Sequence, residues 1–220
     1  MLVGSDYTLV YNVLSFGTAV MFGAFVYFLT QMKSVSKQYQ AGIAVSAIVV
    51  GIAGYHYYRI WSDFGEGVMN EGYRYADWLI TVPLLIVELL IVLGVAQKDR
   101  TSLMLKLVPA SILMIGLGYP GEVADGNGAK WTFWILALIP FAYILKTLYD
   151  ELQKAGQRET GAVAKQIKNA TYVLLSTWLV YPIAYLFPIF DANSEALETL
   201  RQVGYTFADI TSKCLYGLSL

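Results

Sequence analysis

Apolar residues gather in seven blocks along the chain, at about 7–31, 41–61, 74–96, 102–119, 131–152, 169–188 and 199–218. Each is close to the roughly 20 mainly apolar residues that a helix needs to cross a hydrocarbon core. The first two blocks are plain, with Arg59 the only Asp, Glu, Lys or Arg in either, near the end of the second. The later blocks carry internal charges. The sixth contains Pro182 and Pro188, which a membrane helix tolerates where its neighbours satisfy the freed carbonyls. Short connections leave little chain between the blocks. The pattern predicts an all-α membrane protein, a seven-transmembrane-helix bundle in one domain over residues 1–220.

Composition agrees with a membrane solvent. Hydrophobic residues make up 57% of the chain and charged residues only 14%, against roughly 25% charged in soluble domains. Mean hydropathy is +0.53. A net charge of -1 offers no electrostatic footprint for nucleic acid. Cys214 is the single cysteine, so no intrachain disulfide can form. Asp6 stands where the basic start of a secretory signal would be, and no such signal is expected. Basic residues mark alternate connections: Lys33 and Lys37; Lys98, Arg100 and Lys106 against Asp99; then Lys146, Lys154, Arg158, Lys165 and Lys168 against Asp150, Glu151 and Glu159. The other connections are acidic, with Asp63, Glu66 and Glu71 in one, and Asp191, Glu195 and Glu198 against Arg201 in another. The positive-inside rule then places the N-terminus outside and the C-terminus inside. The expected location is the cell membrane, as a multi-pass protein (the inner membrane of a Gram-negative source), associating as a homo-oligomer.

Ionisable groups inside a membrane are costly and mark functional sites. Asp77, Thr81 and Glu88 share one face of the third block at 3.6 residues per turn. Asp77 and Glu88 are separated by roughly 16 Å along the axis, one in each half of the membrane. In the seventh block Asp209 and Lys213 are one turn apart. A buried lysine without a partner tends to lose its proton, and the neutral amine is a nucleophile able to form a Schiff base. Charge placement alone leaves open a structural ion pair between Lys213 and Asp77 or Asp209. Trp78, Trp134, Trp178, Tyr181 and Tyr185 lie at depths near that of Lys213. Singly, each reads as packing. Together they suggest a slot for a flat, apolar, conjugated ligand, with Gly116 and Gly118 leaving room for its bulky end. No metal-binding set is read.

These residues resemble the microbial rhodopsins across nearly the whole chain. The run Arg74–Glu88, containing Asp77, Trp78 and Thr81, resembles the third helix of proteorhodopsins and xanthorhodopsins. Trp178, Tyr181 and Pro182 match the W-x-x-Y-P of the sixth helix, and Asp209 with Lys213 the D-x-x-x-K of the seventh. Gly54–Arg59 and Gly118–Glu122 resemble the xanthorhodopsin branch. The resemblance implies a light-driven outward proton pump, a transporter and not an enzyme. All-trans retinal would be bound covalently to Lys213 as a protonated Schiff base. Asp77 would be counterion and proton acceptor, Asp209 the second counterion, and Glu88 the proton donor, holding its proton at rest. Thr81 completes the D-T-E set of proton pumps. Arg74 would hold the outer proton path, and His56 would sit beside Asp77 and tune its proton affinity. Trp78, Met114, Gly118, Trp134, Trp178, Tyr181 and Pro182 would line retinal, with Leu85 setting a green colour.

Two further expectations follow from the resemblance. Relatives that bind a carotenoid antenna carry glycine at the position of Trp134, so an antenna is not expected here. The alternative function is a photosensory rhodopsin signalling through a partner transducer; such sensors usually lack a carboxylate at the position of Glu88. A retinal-free transporter and a purely structural membrane protein account less well for the aligned charges.

Overall fold

The computed structural model describes residues 2–37, 39–158 and 161–219. Among them all regular structure is helical, arranged as seven rods. The first five are single helices: α1 (Gly4–Gln31), α2 (Gln40–Gly65), α3 (Glu71–Val92), α4 (Gln97–Glu122) and α5 (Asn127–Arg158). The sixth rod is α6 (Gly161–Trp178), α7 (Val180–Tyr185) and α8 (Phe187–Phe190) in succession. The seventh is α9 (Glu195–Asp209), a π-helical turn over Ile210–Leu215, and α10 (Tyr216–Leu218). Successive rods pack on one another, and α9 and the π turn return against α1, so the bundle closes. Glu159 lies outside the described residues.

Local chemistry sets the ends. The Asn70 side chain caps α3 by accepting from Gly72 N at 3.0 Å, and Ser194 caps α9 by accepting from Leu197 N at 3.3 Å. At the other end of α3, Gly94 takes φ +64. Its N–H donates to Ile91 O at 3.0 Å and that of Val95 to Leu90 O at 3.2 Å, a glycine-terminated helix end. The helix therefore stops at Val92, short of the 96 expected from hydropathy. Elsewhere helices outrun their apolar blocks. α5 continues to Arg158 and α6 starts at Gly161, so most of the 146–168 stretch, read as a loop from its charges, is helix. Polar side chains such as those of the pairs Lys146–Asp150 and Lys154–Glu151 extend a helix past a membrane as readily as a loop does.

Proline shapes the sixth rod. Pro182 has no N–H for the carbonyl of Trp178, and the helix breaks at Leu179; a second break, at Leu186, precedes Pro188. Pro83 and Pro140 leave α3 and α5 continuous. Among the described residues, six helices are long and apolar enough to cross a membrane by length and composition. The seventh rod falls outside that group because its regular helix is short and carries Glu195, Glu198, Arg201 and Asp209.

Packing inverts the soluble pattern. Leu9, Phe16, Ile139 and Phe207 face outward, whereas Arg74, Asp77, Glu88, Asp209 and Lys213 are buried. One aliphatic core joins α3–α6 and another joins α1 and α2. The first two rods approach through Gly17, where an added Cβ would lie 2.9 Å from two ring carbons of Tyr57 and 3.1 Å from Thr206 Cγ2. Tyr57 is fully buried and cannot swing aside. Gly17→Ala is expected to lower unfolding stability by about 1–3 kcal/mol through overpacking, read as a fall in the thermal midpoint in detergent. An unchanged midpoint would mean the interface gives way more easily than described.

Candidate functional site

Lys213 sits in the π-helical turn, whose wider winding follows Asp209 directly. Such turns inside α-helices recur at functional sites. Its Nζ donates to Asp77 Oδ2 and to Asp209 Oδ1, both at 2.6 Å. All three side chains are essentially removed from solvent. A buried ammonium needs such compensation, since desolvating an isolated charge is prohibitive.

The two carboxylates are held unequally. Asp209 Oδ1 also accepts from Trp78 Nε1 at 3.1 Å and Tyr181 OH at 2.8 Å. Its Oδ2 accepts from Tyr57 OH at 2.7 Å and lies 3.7 Å from Arg74 Nη1. Asp77 has the lysine on one oxygen, while its Oδ1 is buried with no hydrogen-bond partner among the described residues. Thr81 does not supply one, because its hydroxyl donates to the backbone carbonyl of Asp77 at 2.9 Å. Asp209 thus accepts from more protein donors than Asp77 does.

Arg74 is fully buried. It donates to Glu71 at 3.3 Å, Tyr57 OH at 3.2 Å and Gln202 Oε1 at 2.7 Å. Beyond it, Arg201 pairs with Glu71, Glu122 and Glu198. Tyr75 and Tyr205 donate to Glu122 at 2.9 and 3.2 Å. Sequence reading placed Glu71, Glu198 and Arg201 in acidic connections. Because α9 begins at Glu195, Arg201 instead lies two turns inside the rod and is buried. Glu88, at the other end of α3, forms no ion pair among the described residues; it accepts from the Ser46 hydroxyl, and its Oε2 is unpartnered.

A cavity lined almost wholly by apolar and aromatic side chains opens between α3, α4, α5, α7 and α9. Trp78, Met114, Gly118, Trp134, Trp178, Tyr181 and Pro182 all line it, and so does Tyr185. Trp78 and Tyr181 meet edge to face at 5.0 Å and also bond to Asp209, so this wall of the cavity abuts the lysine site. The lining residues fit an apolar ligand, and Lys213 lies behind the Trp78 and Tyr181 wall rather than on the lining itself.

Three expectations need correction. Gly116 is exposed, and a Cβ added there would meet nothing within 4 Å, so Gly118, packed against Tyr75, is the one that makes room at the cavity. Leu85 is buried in the aliphatic core and does not line the cavity; Val82, one turn earlier, does. His56 Nδ1 lies 3.0 Å from its own helix at Ile52 O, with no hydrogen bond to the Asp77 carboxylate.

Sequence reasoning missed Tyr57, Ser46, Gln202 and Tyr205. Tyr57 lay inside the Gly54–Arg59 run and could have been marked as a polar tip in an apolar helix. Nothing local distinguishes Ser46 or Gln202, whose partners are far along the chain.

The model of a family described as bacteriorhodopsin-like protein matches residues 9–220. The green-light absorbing proteorhodopsin of Gamma-proteobacterium EBAC31A08 is 32% identical over 205 residues, covering 91% of this chain and 80% of that protein. The blue-light absorbing proteorhodopsin of Gamma-proteobacterium Hot 75m4 is 29% identical over the same shares. Among solved structures, xanthorhodopsin, described as a light-driven ion pump with dual chromophore, superposes with a TM-score of 0.92 at 40% identity, covering 99% of this chain and 92% of that one. A thermophilic rhodopsin superposes with a TM-score of 0.92 at 39% identity, covering 99% and 93%.

Lys213→Ala is expected to leave two buried carboxylates without their shared cation. Breaking one side of a buried pair costs about 3–5 kcal/mol, read as thermal destabilisation of the chain purified without ligand. Asp77→Asn added to that variant should return part of the loss, since one uncompensated charge is removed. Equal midpoints for wild type and Lys213→Ala would contradict the ion-pair geometry.

Proposed function

Because this chain belongs to the bacteriorhodopsin-like family of microbial rhodopsins, we propose that it is a light-driven pump moving protons outward across the cell membrane. One observation carries the reading: a buried amine lies between two carboxylates of unequal freedom. All-trans retinal, bound covalently to Lys213 within the cavity, supplies light absorption and the change of shape that starts transport. Trp78, Trp178, Tyr181, Pro182, Met114, Gly118 and Trp134 hold it, and Leu85 acts on colour from the packing behind.

The proton on the Lys213 nitrogen has one natural destination. Protonating Asp209 would sacrifice bonds from Trp78, Tyr181 or Tyr57, whereas Asp77 can take the proton on its unpartnered Oδ1. Asp209 therefore stays ionised, fixed by Tyr57 and Arg74, and Asp77 is the acceptor. Thr81 fixes the backbone at Asp77, and His56, on α2, tunes the acceptor from nearby. Glu88, roughly 16 Å along α3 from Asp77, keeps its proton at rest and returns it to the lysine nitrogen. With the basic connections on the cytoplasmic side and the N-terminus outside, Asp77 faces outward and Glu88 inward. Transfer from Glu88 to the nitrogen to Asp77 is then export. The chain works as a single multi-pass domain, self-associated in the bilayer. A photosensor with a transducer has no use for an isolated, hydroxyl-bonded carboxyl at Glu88.

Illuminating cells that make the protein should acidify the medium, and a protonophore should abolish the change. Asp77→Asn should stop acidification and shift absorption to the red, because the cationic ground state loses a counterion. Continued pumping at the normal rate would remove Asp77 from the acceptor role, and alkalinisation in the wild type would reverse the direction.

We further propose that retinal is the sole chromophore. Trp134 donates to Pro182 O at 2.9 Å and meets Trp131 edge to face at 5.5 Å, so its indole is braced across the cavity wall. Forcing a carotenoid ring against it would cost on the order of 1–3 kcal/mol. With a hydroxylated carotenoid added, the retinal fluorescence excitation spectrum should lack carotenoid bands in wild type and gain them in Trp134→Gly. Bands in the wild type would overturn the proposal.

A further inference from the structure

The half of the bundle around Glu88 is largely apolar, yet among the described residues it holds two buried polar atoms without a protein partner. Glu88 Oε2 is one, and the hydroxyl of Tyr216 is the other. Both side chains are fully enclosed. They come from rods three and seven, and Ser46 of α2 ties the same place together. Its hydroxyl donates to Glu88, and its Oγ lies 3.2 Å from the position of a Cβ added at Gly217, next to Tyr216. Leu85, Leu89, Val49 and Val92 surround the node in one core with Tyr216.

An unsatisfied hydroxyl in such a core costs about as much as a lost hydrogen bond, and a phenylalanine would fill the same volume without it. A buried water linking two such orphan groups removes the cost from both at once. We propose that Tyr216 is a positioning residue for proton return: through an internal water, its hydroxyl holds the second oxygen of the Glu88 carboxyl, while Ser46 holds the first. Tyr216 follows Lys213 by three residues, across the end of the π-helical turn. Any movement of that turn at the lysine is transmitted to the hydroxyl that orients the donor. The inference rests on Glu88 being the donor, and goes beyond it in assigning what aims the donor at Lys213.

Tyr216→Phe in the retinal-loaded protein is the test, with two readings taken in the dark. The infrared carboxyl stretch of Glu88, identified by its loss in Glu88→Gln, should move to higher frequency as a hydrogen bond is lost, and the thermal midpoint should fall. In flash photolysis, late reprotonation should slow by about five- to tenfold, the rate equivalent of one hydrogen bond, with colour and first proton transfer unchanged. An unmoved stretch overturns the proposal. So does a rise in midpoint, which is what removing a truly unsatisfied hydroxyl would give. Normal reprotonation in Glu88→Gln would instead sink the donor reading, and the dark measurements would still decide whether Tyr216 bonds to Glu88. If Tyr216→Phe does not assemble, Ser46→Ala measured the same way keeps the node testable. A stretch unmoved in that variant also overturns it.

Discussion

Everything at the centre of this bundle depends on keeping one ammonium group out of water. A lysine buried alone is untenable, and the helices are arranged so that Lys213 meets Asp77 from α3 and Asp209 from its own rod at equal distances. Those contacts set the rotation of α3 and the seventh rod about their axes. They also recruit the next layer: Asp209 would be overcharged without Arg74, and Arg74 would be stranded without Glu71 and Gln202.

From that layer outward the polar groups form a continuous strip along one end of the bundle, through Arg201 to Glu122 and Glu198. Tyr57, Tyr75, Tyr181 and Tyr205 serve it with hydroxyls while their rings pack as apolar surface. The other end is built oppositely, with Glu88 held by the Ser46 hydroxyl beside a largely apolar core. This polarity of construction, dense in hydrogen bonds on one side and sparse on the other, is what the proposed acceptor and donor roles of Asp77 and Glu88 rest on.

The ligand cavity arises from irregularities in otherwise regular helices. The break at Leu179 lets Tyr181 reach Asp209 while Trp178 stays on the cavity wall, and the freed carbonyl of Pro182 is taken by Trp134. The close approach at Gly118 lets Tyr75 lie flat against α4. Small backbone departures thus convert packed aromatic residues into a slot.

Hydropathy and periodicity determined the number of rods, their order and the shared face of Asp77, Thr81 and Glu88, because membrane burial and helical repeat act locally along the chain. The spacing of Asp209 and Lys213 is equally local, and the motifs around them marked most of the cavity wall. Helix ends were less legible: the stop at Gly94 and the run of α5 to Arg158 depend on backbone capping and on charged turns that hydropathy reads as loop. Which carboxylate keeps a free oxygen, and why His56 turns to Ile52 while Tyr57 faces Asp209, depended on partners as far apart as residues 57 and 209. Those partners meet only when α9 returns against α1. A sequence read one helix at a time specifies which groups must be buried; only the closed bundle decides which of them satisfy one another.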